Sequence, residues 1–298
     1  MTPTTPIPFD LAAMTPMTDA IDALMKQFLE ERPLPANLRE AIQYQLLGGG
    51  KRLRMTLVLR CCEVVGGTAE ASAVSAAAVE MVHAFSLVHD DLPAIDDDDL
   101  RRGRPTLHKH TNEAMAILAG DSLLGLAFEL IATQVRPGEL AGMICRELAV
   151  ATNDMIAGQV YDTLGGFDST VDLYQRLQIT HRHKTASLIR GACRMGALCG
   201  GATVGQLDAL SCYGESIGLM FQIVDDMLDV TQTTEQLGKA AGKDEAKGKL
   251  TYPGVLGLEA SKGHIARLQA KAIAALESLG ESAEPLRELG RFLAERQK

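Results

Sequence analysis

The chain has 298 residues, a formal net charge of −9, 46% hydrophobic and 22% charged residues. That is enough apolar material for a sizeable buried core. The acidic balance argues against a surface built to neutralise nucleic-acid phosphates, so any anionic ligand must meet a local basic cluster. Aromatics reach only 4% and tryptophan is absent, a bias toward helix formers that predicts an all-α fold.

Residues 1–17 are rich in Thr and Pro and are expected to be a flexible N-terminal segment. They lack the basic start and apolar run of a secretory leader, and no window approaches the roughly 18 uninterrupted apolar residues of a membrane span. Residues 19–29 and 38–47 read as helices, the second stopped by Gly48-Gly49-Gly50, because glycine tolerates positive φ. Residues 69–92 place Val74, Ala78, Met81, Phe85, Val88 and Leu92 on one helical stripe, and 113–132 and 139–162 form two more long helices. Helical patterns continue over 173–199, 204–230 and a C-terminal pair from residue 261. The long irregular stretch is 231–253, rich in Gly and Lys; a loop of that length in a compact domain is usually functional, and here it is a candidate lid. With no internal repeat and no linker, the whole of 1–298 reads as one domain. Six cysteines (Cys61, Cys62, Cys145, Cys193, Cys199, Cys212) form no CxxC pair and read as buried free thiols, which fits a cytoplasmic chain.

The densest chemistry begins at Asp90-Asp91-Leu92-Pro93-Ala94-Ile95-Asp96 and runs on through Asp97, Asp98 and Asp99. Crowded carboxylates repel one another unless a cation is near, and hard oxygen ligands suit magnesium bound together with substrate phosphates. Taken alone the run could equally be a solvated acidic loop. A second motif, Gln222-Ile223-Val224-Asp225-Asp226-Met227-Leu228-Asp229, lies in a helical pattern. Its i,i+4 pairs Gln222/Asp226 and Asp225/Asp229 share a polar face opposite Met220, Ile223 and Met227. Two acidic motifs on separate apolar helices point to one diphosphate held through metal ions. Lys51-Arg52-Leu53-Arg54, Arg101-Arg102-Gly103, His183-Lys184-Thr185, Lys239 and Lys249 could each, taken singly, be surface charge; their positions beside glycines, acidic motifs and a long loop favour diphosphate oxygens, Arg in forked contacts and Lys as point charges. His83 lies two turns before Asp90 on the same helix face.

In order and spacing from Gly48 to Pro253, these pieces resemble the trans-polyprenyl diphosphate synthases. Those that carry the resemblance are Gly49-Gly50-Lys51-Arg52-Leu53-Arg54, the DDxxxxD of Asp90 to Asp96 with Arg101-Arg102-Gly103, His183-Lys184-Thr185, Phe221-Gln222-x-x-Asp225-Asp226-x-x-Asp229 and Gly248-Lys249-x-Thr251-Tyr252-Pro253. The branch that looks most similar makes farnesyl diphosphate in bacteria. The resemblance implies an isoprenoid synthase fold of about ten core helices around a deep central cavity, and a homodimer packed through helices between the two motifs. It implies that Asp90, Asp91, Asp96, Asp225 and Asp229 gather three magnesium ions around an allylic diphosphate held by Arg101, Lys184 and Lys239. Isopentenyl diphosphate would rest on Lys51, Arg54, His83 and Arg102, with Lys249 helping to close the allylic site. Dipoles near Lys184, Thr185 and Gln222 would face the carbocation formed when diphosphate leaves.

Chain length in the resembled family depends on cavity depth below the first motif. Phe85, five positions before Asp90, resembles a floor that halts growth at fifteen carbons. Helix geometry places the small Ser86 directly beneath Asp90 and Phe85 roughly 140° around, which leaves a twenty-carbon, geranylgeranyl product open. Two departures from the family pattern are Met55, where relatives usually carry Pro, and Asn153-Asp154-Met155 in place of a glycine-rich stretch. A terpene cyclase would not need the Lys51, Arg54 and His83 set and is usually richer in aromatics; a non-catalytic partner subunit would be expected to have lost one acidic motif.

Overall fold

The computed structural model describes residues 15–231 and 249–296. Almost all of it is helical. Helices α1 (Thr15–Glu31), α2 (Ala36–Leu46), α3 (Leu53–Val64) and α4 (Ala69–Asp90) precede a hairpin of β1 (Leu100–Arg101) and β2 (Arg104–Pro105). A short α5 (Leu107–His110), α6 (Glu113–Gln134), α7 (Gly138–Thr163) and α8 (Leu173–His181) follow. A π-helical segment, Arg182–Ala186, leads into α9 (Ser187–Cys199) and α10 (Val204–Thr231). After residue 249 come α11 (Tyr252–Leu256), α12 (Leu258–Ala275), a 3-10 turn over Glu277–Ala283, and α13 (Glu284–Glu295).

The all-α expectation is met. Thr15–Met17 already belong to α1, so the expected flexible segment does not extend to residue 17; residues 1–14 lie outside the described residues. Most of the 231–253 stretch, with Lys239, also lies outside them. Local chemistry explains several helix starts. Thr68 accepts from the Ala71 amide, Asn112 from Met115, and Asp172 forms a capping box with Gln175, each satisfying amides that the first turn leaves bare.

Helix α4 is the central element, packed against α1, α2, α3, α6 and α9, while α9 also meets α3, α7 and α10. The core runs through Met55, Leu57, Met81, Leu123, Ile144, Met195 and Tyr213, all fully buried. The Tyr213 hydroxyl donates to the Leu286 carbonyl at 2.6 Å, tying α10 to α13. Helices α4 and α6 are long and apolar enough, by length and composition, to cross a membrane. Helix α4 is nevertheless enclosed by its neighbours, whereas α6 and α7 leave Leu118, Met143 and Val150 exposed.

Helix α3 was not foreseen. Its residues are buried on every side, from Leu53 and Met55 to Cys61 and Val64, and a helix buried all round shows no amphipathic stripe. Met55, the departure from proline, has a use here: its backbone N–H donates to Glu80 at 3.2 Å, a bond proline cannot make.

Candidate functional site

Helices α4, α6, α7 and the π-helical segment enclose a cavity of about 600 Å³. Its wall is apolar at Phe85, Leu87, Leu124, Met155, Ile156 and Val160, and polar at Arg54, His83, Asp90, Gln159, Lys184 and Thr185. That mixture, an apolar chamber with a few convergent polar groups, is the usual build of a small-molecule site.

The π-helical segment explains how Lys184 and Thr185 reach the cavity. An i→i+5 turn inside a helix shifts the side chains that follow it, and such bulges cluster at functional sites. Two glycines make room for it. A Cβ on Gly158 of α7 would lie 2.0 Å from the Lys184 nitrogen, and one on Gly218 of α10 would lie 2.6 Å from Ala186 Cα. Sequence reasoning named neither glycine, since only the fold shows what faces them.

At the mouth, Asp90 and Asp96 meet the lysines. Burial, with Asp96 adding to it, pushes the Asp90 carboxyl up to about 6, although Lys184 and Arg101 offset part of the rise. Lys249 donates to Asp96 at 2.9 Å and pairs with Asp162 at 3.2 Å; Lys184 donates to Asp162 at 2.6 Å. Burial raises the Asp162 carboxyl, but the two lysines outweigh it and hold it below the ordinary range. Asp162 thus anchors both predicted lysines, a role that the sequence alone did not signal.

Asp91 is turned away from its neighbours. It is 1% exposed and is gripped by Arg101, whose Nε donates at 2.8 and 2.9 Å and Nη2 at 2.5 Å. Burial still holds its carboxyl above the usual range. The hairpin aims these arginines: Arg101 pairs with Arg104 across it, and its two turn residues, Arg102 and Gly103, both have positive φ, as a type I′ turn requires. Arg102 then donates to the Gly49 carbonyl, and a Cβ on Gly50 would collide with its guanidinium at 2.6 Å. The glycine triplet therefore serves close approach as well as helix termination.

Arg102 joins a basic cluster beside this mouth. Arg54 Nη1 lies 3.3 Å from His83 Nε2. Burial, then the charges of Arg54, Arg102, Arg101 and Arg52, drive the His83 ring well below its ordinary value, so it is neutral. Burial also lowers Arg54. Arg52 does not join them: it turns inward at φ 49° to bond Asp22 at 2.8 Å, Glu80 at 3.4 Å and the Leu46 carbonyl at 3.0 Å. Lys51 is exposed near Arg296 and Phe221.

The second motif divides in two. Asp225 accepts from Arg296 at 2.6 Å, and that guanidinium stacks on Phe221 at 3.9 Å; Arg296 is a contact that sequence reading did not foresee. Asp226 and Asp229 are buried, at 2% and 3% exposure. Gln222 donates to Asp226 at 2.8 Å, confirming the i,i+4 face, and accepts from the Thr185 hydroxyl at 2.6 Å. His181, pushed down to about 4 by burial, sits 3.9 Å from Asp226. Among the described residues no three Asp, Glu, His or Cys side chains converge as a ready-made ion site; the two acidic motifs belong to α4 with its following turn and to α10.

Phe85 and Ser86 both line the cavity. The Phe85 ring stands edge-on to His89 with centroids 5.0 Å apart, and the Ser86 hydroxyl folds back onto the His83 carbonyl at 3.0 Å.

The site is a helical chamber whose mouth carries paired carboxylates and lysines, flanked by a separate arginine–histidine cluster, an arrangement with room for an apolar molecule and cations for an anionic end. Comparison with known proteins gives the class. The polyprenyl synthetase family profile matches residues 35–284, and the chain belongs to that family, whose reaction class is prenyl transfer. It is 46% identical over 269 residues to geranylgeranyl pyrophosphate synthase 11, chloroplastic, of Arabidopsis thaliana, covering 87% of this chain and 75% of that one. It is 46% identical over 268 residues to the chloroplastic geranylgeranyl pyrophosphate synthase of Capsicum annuum, covering 88% and 72%. Among solved structures, an FPP/GFPP synthase from Zymomonas mobilis superposes with a TM-score of 0.82 at 33% identity over 95% of this chain and 98% of that one. Geranylgeranyl pyrophosphate synthetase from Pyrococcus horikoshii gives 0.86 at 30% identity over 96% and 98%. The fold is therefore that of the isoprenoid synthases, as expected. The cytoplasmic placement is corrected: it rested on composition and free thiols, whereas the curated relatives are chloroplastic enzymes.

Proposed function

We propose that this protein condenses isopentenyl diphosphate with an allylic diphosphate and that its product is geranylgeranyl diphosphate. The observation that carries the condensation is the presence of two separate clusters of charged groups beside one apolar cavity. One is Asp90, Asp96, Lys184 and Lys249 with Asp162; the other is Arg54, His83 and Arg102. A cyclase, with one diphosphate to bind, has no use for the second.

Asp90, Asp91, Asp96, Asp225 and Asp229 would hold magnesium, three ions in the resembled family; Asp91 would exchange its Arg101 contact, and Asp225 its Arg296 contact, for the ion. Their oxygens suit a hard cation, and the Asp90 carboxyl, raised first by burial and then by Asp96 and Asp91, would be held ionised by a cation beside it. Bound magnesium would supply positive charge to the departing diphosphate. Arg101, Lys184 and Lys249 add charge for the same group; Lys239 is proposed with them from the motif order. Lys51, Arg54 and Arg102 neutralise the isopentenyl diphosphate, and neutral His83 can offer it one N–H without further charge. The Thr185 oxygen faces the allylic cation, and the apolar wall keeps out water that would quench it. The isopentenyl double bond attacks, a proton leaves to the released diphosphate, and a longer allylic product results.

The twenty-carbon assignment is supported by the names of relatives at 46% identity and by the small Ser86 beneath Asp90. A fifteen-carbon product is the second reading, favoured by the Phe85 ring in the cavity wall. Homodimerisation through α6 and α7 is part of the proposal, supported by exposed Leu118, Met143 and Val150. The test is chromatography of dephosphorylated products from farnesyl diphosphate and isopentenyl diphosphate. A twenty-carbon alcohol supports the assignment, and farnesyl diphosphate left unextended by an enzyme that does extend geranyl diphosphate replaces it with the fifteen-carbon reading.

A further inference from the structure

We propose that Asp226, the acidic residue of the second motif for which metal binding gives no part, is a positioning residue that fixes which way the Thr185 hydroxyl points. The inference rests on the prenyl-transfer reading above. Asp226 is 2% exposed. One of its oxygens accepts from Gln222 Nε2 at 2.8 Å and the other from the backbone N–H of Tyr252 at 2.9 Å. His181 is 3.9 Å away, beyond hydrogen-bond reach.

A carboxylate only accepts, so the end of the Gln222 amide that faces Asp226 must be the NH2. That leaves Gln222 Oε1 for Thr185, whose hydroxyl lies 2.6 Å away. An amide oxygen also only accepts, so the Thr185 proton is committed to Gln222 and the hydroxyl turns lone pairs to the cavity. Thr185 lines that cavity, while Gln222 and Asp226 do not. A positive charge developing on the allylic carbon therefore meets an oxygen aimed before the reaction starts, which is where fixed dipoles lower a barrier most. With the amide reversed, its NH2 would donate to Thr185 and the O–H would turn toward the cation.

Asp226→Asn tests this in the full-length protein, because Asn can donate to Gln222 and permits the reversed amide while still accepting from Tyr252. We expect kcat to fall about 10- to 100-fold, with KM for both diphosphates and the calorimetric affinity for magnesium plus inorganic pyrophosphate within about 2-fold of wild type. The Gln222→Glu, Asp226→Asn pair restores an acceptor toward Thr185 at unchanged net charge, and it should recover at least about 5-fold of the lost kcat. An Asp226→Asn enzyme with wild-type kcat overturns the inference. So does one that loses magnesium–pyrophosphate affinity about 10-fold, which would make Asp226 a ligand, one that fails to fold, or a paired variant no faster than the single one. If the wild-type protein does not condense the two diphosphates at all, the prenyl-transfer reading falls and takes this with it; condensation with an indifferent Asp226→Asn removes this inference alone.

Discussion

Replacing Gly158 with alanine inserts one methyl group at the closest packing point of the site. The new Cβ would stand 2.0 Å from the Lys184 nitrogen, 2.4 Å from its Cα and 2.6 Å from the His183 carbonyl carbon. Ordinary contact begins at 3.4 Å, and every atom in the way is backbone, so α7 and the π-helical segment must part by about 1.4 Å. Overpacking of this kind costs about 1–3 kcal/mol, which for a chain of this size lowers Tm by roughly 2–10 °C. The functional loss should be larger. Lys184 and Thr185 ride on the displaced segment, and a misplacement near 1 Å can cost about 100-fold in rate. Steady-state kinetics beside a thermal melt would show kcat/KM down by about 100-fold with only a few degrees lost. A Gly158→Ala enzyme within about 3-fold of wild type would refute the claim that this contact sets the position of Lys184 and Thr185.

Arg52→Ala strands Glu80, 4% exposed, and a half-exposed Asp22, so urea unfolding should show a loss of about 3–5 kcal/mol, whereas Lys51→Ala should leave stability nearly unchanged and raise KM for isopentenyl diphosphate. In EDTA, Asp90 contributes stability that is full below its unfolded pKa near 4 and is lost as pH rises through about 6; Tm of the metal-free protein should fall over that window, and a fall of equal size in Asp90→Asn would contradict the assignment. Phe85→Ala opens the cavity wall and should lengthen the product; an unchanged chain length would remove Phe85 from the wall that limits growth.

Much of the site could be read from the sequence because its charged groups come in short runs. Asp90, Asp96, Lys184 and Lys249 do gather at one mouth, and Arg54, His83 and Arg102 gather beside it. What could not be read depends on partners remote in sequence. Asp162 binds Lys184 and Lys249 from 22 and 87 positions away, and Arg296 reaches Asp225 across 71. Identical residue types within one run also separate by direction alone: Arg52 faces the core and Arg54 the cavity; Asp91 faces Arg101 while Asp90 lines the cavity. Helix α3 escaped notice because burial on all sides erases the periodic pattern, and the hairpin because its strands are two residues long. Compartment and product length are different in kind. Neither is fixed by the charged motifs, and the relatives' names overturn the first and favour twenty carbons over fifteen.

The central claim is that two diphosphates bind side by side and are joined. Its most direct measurement is incubation of the purified protein with labelled isopentenyl diphosphate and, in turn, dimethylallyl, geranyl and farnesyl diphosphates, with magnesium or with EDTA. The account predicts label in a longer chain only when magnesium and an allylic partner are both present, ending at twenty carbons. Loss of allylic diphosphate without incorporation of label, or no reaction with any of the three, would contradict it.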